Sequence, residues 1–382
     1  MKIAFTSLFD IDDPNIISGT LYYMSHYLIK QGLNVIHIDK LHKTYYKFLK
    51  IKTIFHSFNK KKYLRLRDPF LVKRITKQIQ KQIDIINPDI VFSQGSLEVS
   101  LLGCKQPIVI WCDGNFADLI DRHPHYCNLS DKTIKDSLML EKKAYDRAAL
   151  LIFPSEWAAQ STIEKYSVNP SKVHVVPYGA NIDYDMDEEE IKQKILSRPS
   201  DIIKILFSGV DWYYKGGDVL LEAVNILIRN GFKVELNIVG CNPSPDEDIL
   251  KYTKVHGFLR KSIESERNLL QQLYLDSHYF VLPTRYETYG ISFCEANAYG
   301  LPALGTNTGG VQSIITNGIN GFLIEGINAP QFIAEKIIRL FTNYNEYINL
   351  ALSSFNEYKT RLNWDAACSK VKNLLQQINV IK

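Results

Sequence analysis

Short runs of β-branched and aliphatic residues alternate along this chain with stretches in which apolar residues recur at helical spacing, and the alternation occurs twice. Parallel strands need crossover connections, so the pattern predicts parallel strands joined by helices. The predicted strands are 2–8, 34–39, 89–93, 107–112, 150–154 and 173–177, then 203–209, 234–240, 254–259, 279–283 and 303–306. The predicted helices are 19–30, 70–86, 131–149, 155–166, 217–229, 265–275, 291–299, 330–340 and 365–377. The chain is therefore expected to be α/β, with two doubly wound units.

An acidic stretch separates the two series. Residues 183–190 contain six acidic residues, and Arg198-Pro199-Ser200 follows them. The chain has 382 residues, whereas a single core stops growing near ~250 to 300 residues. We therefore place a boundary in residues 181–200, between a first domain at 1–180 and a second at 201–360, with a C-terminal helix in 361–382.

The composition excludes several classes of protein. Apolar residues make up 46% and charged residues 23% of the chain, which is typical of a globular protein rather than a disordered or fibrous one. The sequence has no run of 18 apolar residues and no standard export signal, so neither a membrane span nor export is expected. Six scattered cysteines without a C-x-x-C pair indicate free thiols in a reducing compartment. These features predict a cytoplasmic protein.

Residues 40–82, the basic segment, carry fourteen Lys or Arg and one acid, Asp68, in a chain whose net charge is +4. Seven aromatic residues are interleaved with these charges. One interpretation is a pair of solvated helices with the aromatics in the core. The other is a surface, from Lys40 to Lys81, that holds the protein on the anionic inner face of a membrane. Aromatics also stack on exposed bases, but no nucleic-acid module accompanies them, so a nucleic-acid partner is not expected.

The most specific motif follows the predicted strand 279–283 and contains Glu287 and Glu295. Gly290 between them indicates that a helix begins there, with Glu287 in the preceding loop and Glu295 inside the helix. A helix N-terminus offers free backbone N–H groups and a partial positive charge, which suit a phosphate. The two carboxylates can accept hydrogen bonds from hydroxyl groups on either side of that phosphate. Two solvated acids at a helix start are the alternative, which the following Gly-Leu-Pro and Gly-Gly sequences disfavour.

This motif resembles the signature of retaining glycosyltransferases of the GT-B fold, in particular glycosyltransferase family 4. Further segments that resemble the family are 205–209 with Lys215-Gly216-Gly217, Val239-Gly240, 255–259, Ser18-Gly19-Thr20, 153–157 and 175–179. The likeness covers about residues 1–325 and Asn363-Trp364-Asp365. It implies two Rossmann-like domains that face a deep cleft, with the acceptor bound by the first domain and the nucleotide sugar by the second. It also implies that the C-terminal helix packs back on the first domain.

The resemblance implies roles for individual residues. Glu287 would orient the donor sugar, and Lys215 would neutralise the leaving diphosphate. Asp113, at a strand end where relatives often have a histidine, would act catalytically. The donor-binding residues would be Gly19, Gly209, Phe258, Leu259, Tyr289, Gly290, Ile291 and Glu295. Among these, Glu295 would hold the ribose and Phe258 with Leu259 the base.

The chain departs from the family at Val210, because relatives usually carry Arg or Lys at this position. The phosphate charge must then be met by Lys215, by two helix N-termini or by Arg285, for which a structural role is the alternative. Asp246-Glu247-Asp248 has the form of a metal-binding D-x-D but follows prolines in what reads as an exposed connection. The nine histidines show no ligand spacing. We expect no metal, and no cofactor besides the substrate.

The expected function is that of a retaining, metal-independent hexosyltransferase. Its donor would be a nucleotide-diphosphate sugar, expected to be UDP-linked, although nothing in residues 255–260 separates uracil from guanine or adenine. Its acceptor would be a glycan, a lipid-linked or a protein acceptor in cell-envelope polysaccharide or glycoconjugate synthesis. Two alternatives stay open: a GT-B-type sugar-nucleotide epimerase, and a catalytically silent module that binds nucleotide sugars or membranes.

Overall fold

The computed structural model describes residues 1–183, 186–243 and 251–380. The chain divides into two compact units. Unit 1 comprises Met1–Val176 and Cys368–Lys382, and unit 2 comprises Pro177–Ala367. The boundary therefore falls between Val176 and Pro177, just before the stretch 181–200 in which the sequence placed it.

Unit 1 contains a six-stranded parallel sheet with the order β2-β1-β3-β4-β5-β6. Its strands are β1 (Lys2–Thr6), β2 (Asn34–Ile38), β3 (Ile90–Ser93), β4 (Ile108–Trp111), β5 (Leu150–Phe153) and β6 (Val173–Val175). Its helices are α1 (Thr20–Lys30), α2 (Lys50–Ser57), α3 (Pro69–Ile86), α4 (Phe116–Leu119), α5 (Asp131–Arg147) and α6 (Glu156–Tyr166). In β3 to β5 every residue is buried, as expected for parallel strands covered on both faces.

Helix α3 shows how the sequence builds the unit 1 core. The Asp68 side chain caps the helix by accepting hydrogen bonds from the backbone N–H groups of Phe70 (2.9 Å) and Leu71 (3.3 Å), and Asn87 ends it in a left-handed conformation. Apolar residues at helical spacing lie in one buried face, namely Leu71, Val72, Ile75, Ile79 and Ile83. They pack in the same cluster as the β3 and β4 side chains. Each fully buried aliphatic side chain of this kind contributes about 1.5–3 kcal/mol to the free energy of unfolding.

Unit 2 contains a second six-stranded parallel sheet with the order β12-β11-β10-β7-β8-β9. Its strands are β7 (Ile203–Ser208), β8 (Val234–Val239), β9 (Thr253–Gly257), β10 (Tyr279–Leu282), β11 (Ala303–Thr306) and β12 (Gly321–Ile324). Its helices are α7 (Glu188–Leu196), α8 (Gly217–Arg229), α9 (Glu264–Asp276), α10 (Ile291–Ala298), α11 (Ala329–Thr342) and α12 (Tyr344–Thr360). The predicted α/β architecture with two doubly wound sheets is confirmed.

The last helix, α13 (Trp364–Val380), begins in unit 2 and continues in unit 1. In unit 1 the Cys368 Sγ lies 3.9 Å from the backbone oxygen of Met24, and the Lys372 Nζ donates to the backbone oxygen of Gln31 at 2.7 Å. The C-terminal part of α13 therefore packs beside α1. Within the described ranges, no helix combines the length and the apolar character that crossing a membrane requires.

Candidate functional site

The strand order of unit 2 reverses between β7 and β10. From β7 the chain proceeds through α8 to β8 on one side, whereas β10 and β11 lie on the other side. In doubly wound sheets, ligands bind outside the carboxyl ends of the strands at such a switch point, because the flanking loops diverge there. The two loops concerned are residues 209–216 after β7 and residues 283–290 after β10, which contain the most specific sequence motifs.

Lys215 and Glu287 meet at this switch point although 72 residues separate them. The Lys215 Nζ lies 2.5 Å from the Glu287 Oε2, and the two side chains are only 18% and 14% exposed. A Cβ atom at Gly209 would lie 2.9 Å from the Lys215 Cγ. Glycine at position 209 therefore leaves room for the lysine side chain beside the end of β7.

Helix α10 begins at this edge of the sheet. Gly290 precedes the helix with a φ of 97°, a left-handed conformation that glycine adopts without steric cost. The first turn of α10, from Ile291, presents the backbone N–H groups and positive dipole end that the sequence predicted for phosphate binding. The Tyr289 hydroxyl is buried and donates to the Tyr178 backbone oxygen at 3.0 Å. The Tyr289 side chain thus anchors the loop within unit 2.

Glu295 forms a second, more deeply buried pair. Its Oε1 lies 2.5 Å from the Lys261 Nζ, and its Oε2 accepts a hydrogen bond from the Tyr274 hydroxyl at 3.1 Å. Lys261 also donates to the backbone oxygen of Asn181 at 2.8 Å. Burial and the adjacent carboxylate raise the pKa of Tyr274, so its hydroxyl keeps the proton that it donates.

Sequence reasoning missed Lys261. It follows Arg260 directly, and nothing in the sequence distinguishes the two cations. The structure does so, because Arg260 is exposed and pairs with Glu266, whereas Lys261 is 17% exposed beside Glu295.

Phe258 and Leu259, predicted to bind the base, lie directly after β9. Phe258 is exposed and Leu259 is half-buried. An exposed aromatic ring at a strand end is suited to stacking on a nucleotide base. Val210, where the resemblance implied a cation, is also exposed.

Arg285 is engaged in a structural arrangement. Its two terminal nitrogens donate to the Asp218 carboxylate at 2.9 and 2.7 Å, and its guanidinium lies 3.7 Å from the centre of the Tyr213 ring. The hydrogen bond and positive charge of Arg285 lower the pKa of Asp218. The Arg285 guanidinium therefore binds residues of α8 and of the loop before it. Lys215 is left as the cation at the end of β7.

In unit 1 the strand order reverses between β1 and β3. A cavity of about 600 Å³ lies at this second switch point, lined by residues that follow β1, β3 and β4. Asp113, after β4, is one of the lining residues and is half-buried. Gly19 caps the start of α1 with a φ of 89°, and a Cβ atom there would lie 2.8 Å from the Pro14 backbone oxygen. Gly19 is not among the residues that line the cavity.

One group of side chains in unit 1 has the composition of a cation site. The ligand atoms of Asp12, His37 and Asp39 lie within 4.8 Å of one another. His37 is held by protein partners on both ring nitrogens, since Nδ1 lies 3.3 Å from the Asp12 Oδ1 and Nε2 lies 2.6 Å from the Ser25 Oγ. The D-x-D sequence at 246–248 lies outside the described residues. Metal independence stays a prediction.

Two family models match the chain. One, described as Glycosyltransferase Family 4, matches residues 18–184, and the other, described as Glycosyl transferases group 1, matches residues 203–343. The chain belongs to glycosyltransferase family 4. One model falls mainly on unit 1 and the other on unit 2.

A curated relative of this family 4 chain is the D-inositol 3-phosphate glycosyltransferase of Xylanimonas cellulosilytica. The two are 23% identical over 247 residues, which cover 62% of this chain and 59% of the relative. The match thus spans less than two thirds of the relative's length.

Solved structures establish the GT-B fold. Sucrose-phosphate synthase from Thermosynechococcus elongatus has a TM-score of 0.71 at 15% identity, with all of both chains covered. Anabaena HepE, solved in complex with UDP and glucose, has a TM-score of 0.62 at 15% identity over 98% of this chain and 99% of that one. At this identity the likeness concerns the fold.

Proposed function

We propose that this chain transfers a sugar from a nucleotide-diphosphate donor to an acceptor with retention of anomeric configuration. The observation that carries the proposal is the Lys215–Glu287 pair at the unit 2 switch point, 2.5 Å apart and mostly buried, with the start of α10 on the same edge. A cation, free N–H groups and a carboxylate are the groups that a diphosphate and its attached sugar require.

The proposed chemistry needs no protein nucleophile. The bond between the anomeric carbon and the diphosphate oxygen breaks, and the acceptor oxygen forms a bond to the same face of that carbon. The leaving phosphate oxygen takes the acceptor proton. Positive charge develops on the sugar ring and negative charge on the diphosphate, so donors fixed at the phosphate supply most of the stabilisation.

The assignment of residues follows from these charges. Lys215 and the first N–H groups of α8 and α10 stabilise the diphosphate, and Glu287 accepts hydrogen bonds from the sugar hydroxyls. Glu295, oriented by Lys261 and Tyr274, holds the ribose. The exposed Phe258 ring stacks on the base. We propose no metal in this chemistry.

UDP is the proposed nucleotide. HepE, whose fold this chain shares, was solved with UDP and with UDP-glucose, which supports a uridine donor. Thermal denaturation in UDP, GDP and ADP tests the choice, because a ligand of the native state raises the melting temperature by mass action. We expect the largest increase with UDP. If none of the three nucleotides raises the melting temperature, the proposed function is contradicted. It is also contradicted if the protein neither transfers nor hydrolyses any labelled nucleotide sugar.

We further propose that the enzyme acts peripherally at an anionic membrane surface, through the exposed part of the basic segment. Helix α2 buries none of its residues. Large apolar side chains in and beside it face solvent, namely Phe48, Ile51, Ile54, Phe55 and Phe58, with Ile51 74% and Phe58 81% exposed. Among the aromatic residues of this segment, Tyr63 is therefore buried in the core, whereas Phe48, Phe55 and Phe58 are not.

The positive charge of this face favours an anionic lipid surface as its binding partner. Exposed lysines, including Lys47, Lys50, Lys60 and Lys61, surround the apolar side chains. Apolar side chains within a cationic face are typical of helices that lie in a membrane interface, and each Lys near an anionic surface contributes about 1 kcal/mol. A membrane position suits a lipid-linked or cell-envelope acceptor.

Co-sedimentation with phosphatidylglycerol vesicles tests this surface. We expect wild-type protein to bind in low salt and to be released in high salt, since exposed charges are screened beyond ~8 Å at physiological ionic strength. Changing Phe55 and Phe58 to Ser should abolish binding, whereas Ile85→Ser, at an exposed apolar residue of α3 outside the segment, should not. Equal binding by both variants, or dimerisation of the wild type without vesicle binding, would refute the membrane assignment.

A further inference from the structure

A short segment of unit 2, residues 178–181, makes hydrogen bonds to two parts of the donor site. The Tyr289 hydroxyl donates to the backbone oxygen of Tyr178 at 3.0 Å, and the Lys261 Nζ donates to the backbone oxygen of Asn181 at 2.8 Å. Tyr289 belongs to the loop before α10, and Lys261 is the partner of the carboxylate that is proposed to hold the ribose. The segment therefore supports both the phosphate loop and the ribose carboxylate.

The chain around the start of α13 holds this segment in place. The backbone N–H of Ala180 donates to the Leu362 backbone oxygen at 2.9 Å, and the indole Nε1–H of Trp364 donates to the Asn181 Oδ1 at 2.8 Å. The two backbones approach so closely that a Cβ atom at Gly179 would lie 2.1 Å from the Trp364 backbone nitrogen. Because the segment lies in neither a helix nor a strand, these contacts take the place of regular backbone hydrogen bonds.

A buried series of hydrogen bonds thus leads from Trp364 to Glu295. Trp364, Asn181 and Glu295 are all buried, and Lys261 joins the last two by donating to the Asn181 backbone oxygen and to the Glu295 Oε1. Water has little access to these atoms, and hydrogen bonds in such surroundings are stronger than in water. A shift of the Asn181 backbone would therefore displace the cation that orients Glu295.

Trp364 also contributes to packing, because its ring stacks on that of Tyr178 with 5.4 Å between the ring centres. The packing role and the hydrogen bond can be separated by substitution. Phenylalanine keeps an aromatic ring at this position but has no N–H to donate.

We propose that Trp364 and Asn181 are positioning residues for ribose binding, which act on Glu295 through Lys261. The inference rests on the proposed function, in which Glu295 accepts hydrogen bonds from the ribose. Trp364 fixes the Asn181 side chain, the Asn181 backbone oxygen fixes Lys261, and Lys261 fixes the Glu295 carboxylate. Trp364 and Asn181 do not touch the reacting phosphate in this scheme, so their loss weakens recognition of the ribose without changing the chemical step.

Trp364→Phe tests this role through the preference of the full chain for UDP over dideoxy-UDP, which lacks the ribose hydroxyls. Calorimetric titration gives the two Kd values. In wild type we expect UDP to bind about tenfold to hundredfold more tightly, since its hydroxyls donate to a charged group. Trp364→Phe should lower this preference about threefold to tenfold, the range of one neutral hydrogen bond. The KM for the donor should rise with little change in kcat.

Tyr347→Phe is the matched control. The Tyr347 hydroxyl is buried in unit 2 and accepts a hydrogen bond from the Arg198 Nη1 at 2.8 Å, so this variant also loses one buried hydrogen bond. It should destabilise the protein but keep the wild-type preference for UDP. Circular dichroism establishes that each variant is folded. Asn181→Ala, which removes the acceptor of the same bond, carries the test if Trp364→Phe is not folded.

Combining Trp364→Phe with Lys261→Met shows whether Trp364 acts through the lysine. We expect the double variant to have the preference of Lys261→Met alone, because the second change removes a link that is already broken. Multiplicative losses overturn the inference. Equal preferences in wild type and Trp364→Phe, or a wild type that binds both ligands equally, also overturn it. If UDP binding and donor hydrolysis are intact in those cases, the proposed function stands.

Discussion

Lysine and glutamate are paired twice at the ligand edge of unit 2, at Lys215–Glu287 and at Lys261–Glu295. Each pair has a nitrogen–oxygen distance of 2.5 Å, and each side chain is less than a fifth exposed. Truncating one member of such a pair leaves the other charge partly buried and unpaired. Substitutions that keep the shape of the side chain therefore separate function from stability best.

Glu287→Gln tests the sugar-orienting role. The amide keeps the shape of the side chain but accepts hydrogen bonds less strongly than the carboxylate, so we expect turnover to fall about 10²-fold while the Kd for UDP changes little. Steady-state transfer and UDP calorimetry measure the two quantities. Asp218→Asn is the matched control, because Asp218 is also a carboxylate in an ion pair, and its partner Arg285 is close to Glu287 in the sequence. Near-normal turnover in Glu287→Gln would refute the role.

Lys261→Met tests whether the buried lysine positions Glu295 for the ribose. Without Lys261, Glu295 loses the donor that fixes its Oε1, so the KM for the donor should rise about tenfold, the effect of one charged hydrogen bond, with little change in kcat. Lys254→Met is the control, since Lys254 pairs with Glu235 at 2.6 Å on an exposed part of the sheet. Equal KM values in the two variants would exclude the positioning role.

At the scale of elements, the sequence predicted the strands of both sheets up to β11 and the long amphipathic helices, because buried parallel strands and one-sided helices have strong periodic patterns. It missed α2, whose apolar residues lie among lysines and are not buried. It also missed α7, which begins within the acidic stretch with a capping box between Asp187 and Glu190. The sequence analysis also missed β12, and it missed α12 although the buried residues of that helix, Tyr347, Leu350, Ala351, Ser354 and Phe355, recur at helical spacing.

The candidate site was predictable where it depends on strand ends. Lys215 and Glu287 follow β7 and β10, and the resemblance to family 4 motifs implied that both residues lie at the donor site. Their contact depends on the strand order, which places β7 beside β10 and which the sequence did not predict. The inward hydroxyl of Tyr289, the Arg285–Asp218 fork and the Lys261–Glu295 pair depend instead on side-chain packing between distant segments. No local pattern records such contacts.

His278, directly before β10, makes unit 2 sensitive to acid. Its Nδ1 accepts from the Lys204 backbone N–H at 3.0 Å, and its Nε2 donates to the Pro199 backbone oxygen at 2.8 Å. Burial, with the nearby Arg198 charge, lowers the pKa of His278 to about 3. The unfolded chain therefore binds the proton first, so stability is complete above about pH 6.5 and is lost as the pH falls from there toward 3.

His278→Asn should remove this contribution. Urea denaturation between pH 7 and 4 should show a free energy of unfolding that falls less steeply in the variant, by up to about 1.4 kcal/mol per pH unit. His42→Asn, at an exposed histidine, should retain the wild-type slope. Parallel curves for His278→Asn and wild type would show that His278 is not the group responsible.

At the scale of the whole molecule, each unit places its ligand-binding features at the switch point of its own sheet. Unit 2 has the paired cations and carboxylates, and unit 1 has the cavity. The same topological rule thus places one candidate ligand site in each unit.

Removal of divalent metal tests the proposal that the leaving diphosphate is stabilised without a metal ion. Because Lys215 and helix N-termini stabilise the leaving diphosphate in this scheme, EDTA should leave the rate of transfer unchanged. The measurement is transfer by dialysed enzyme with EDTA or with added Mn²⁺. Loss of activity that Mn²⁺ restores would contradict metal independence, and a His37→Asn variant would then show whether Asp12, His37 and Asp39 hold the ion.

The turnover number of Lys215→Ala, measured against wild type with the same nucleotide sugar, tests the catalytic site most directly. Lys215 is the cation at the end of β7, so its loss should lower turnover about 10²-fold or more, the cost of losing one preorganised donor. Arg285→Ala removes a cation that is committed to Asp218 and should lower turnover far less. Turnover of Lys215→Ala close to that of wild type, in a folded protein that still binds UDP, would contradict the proposed site.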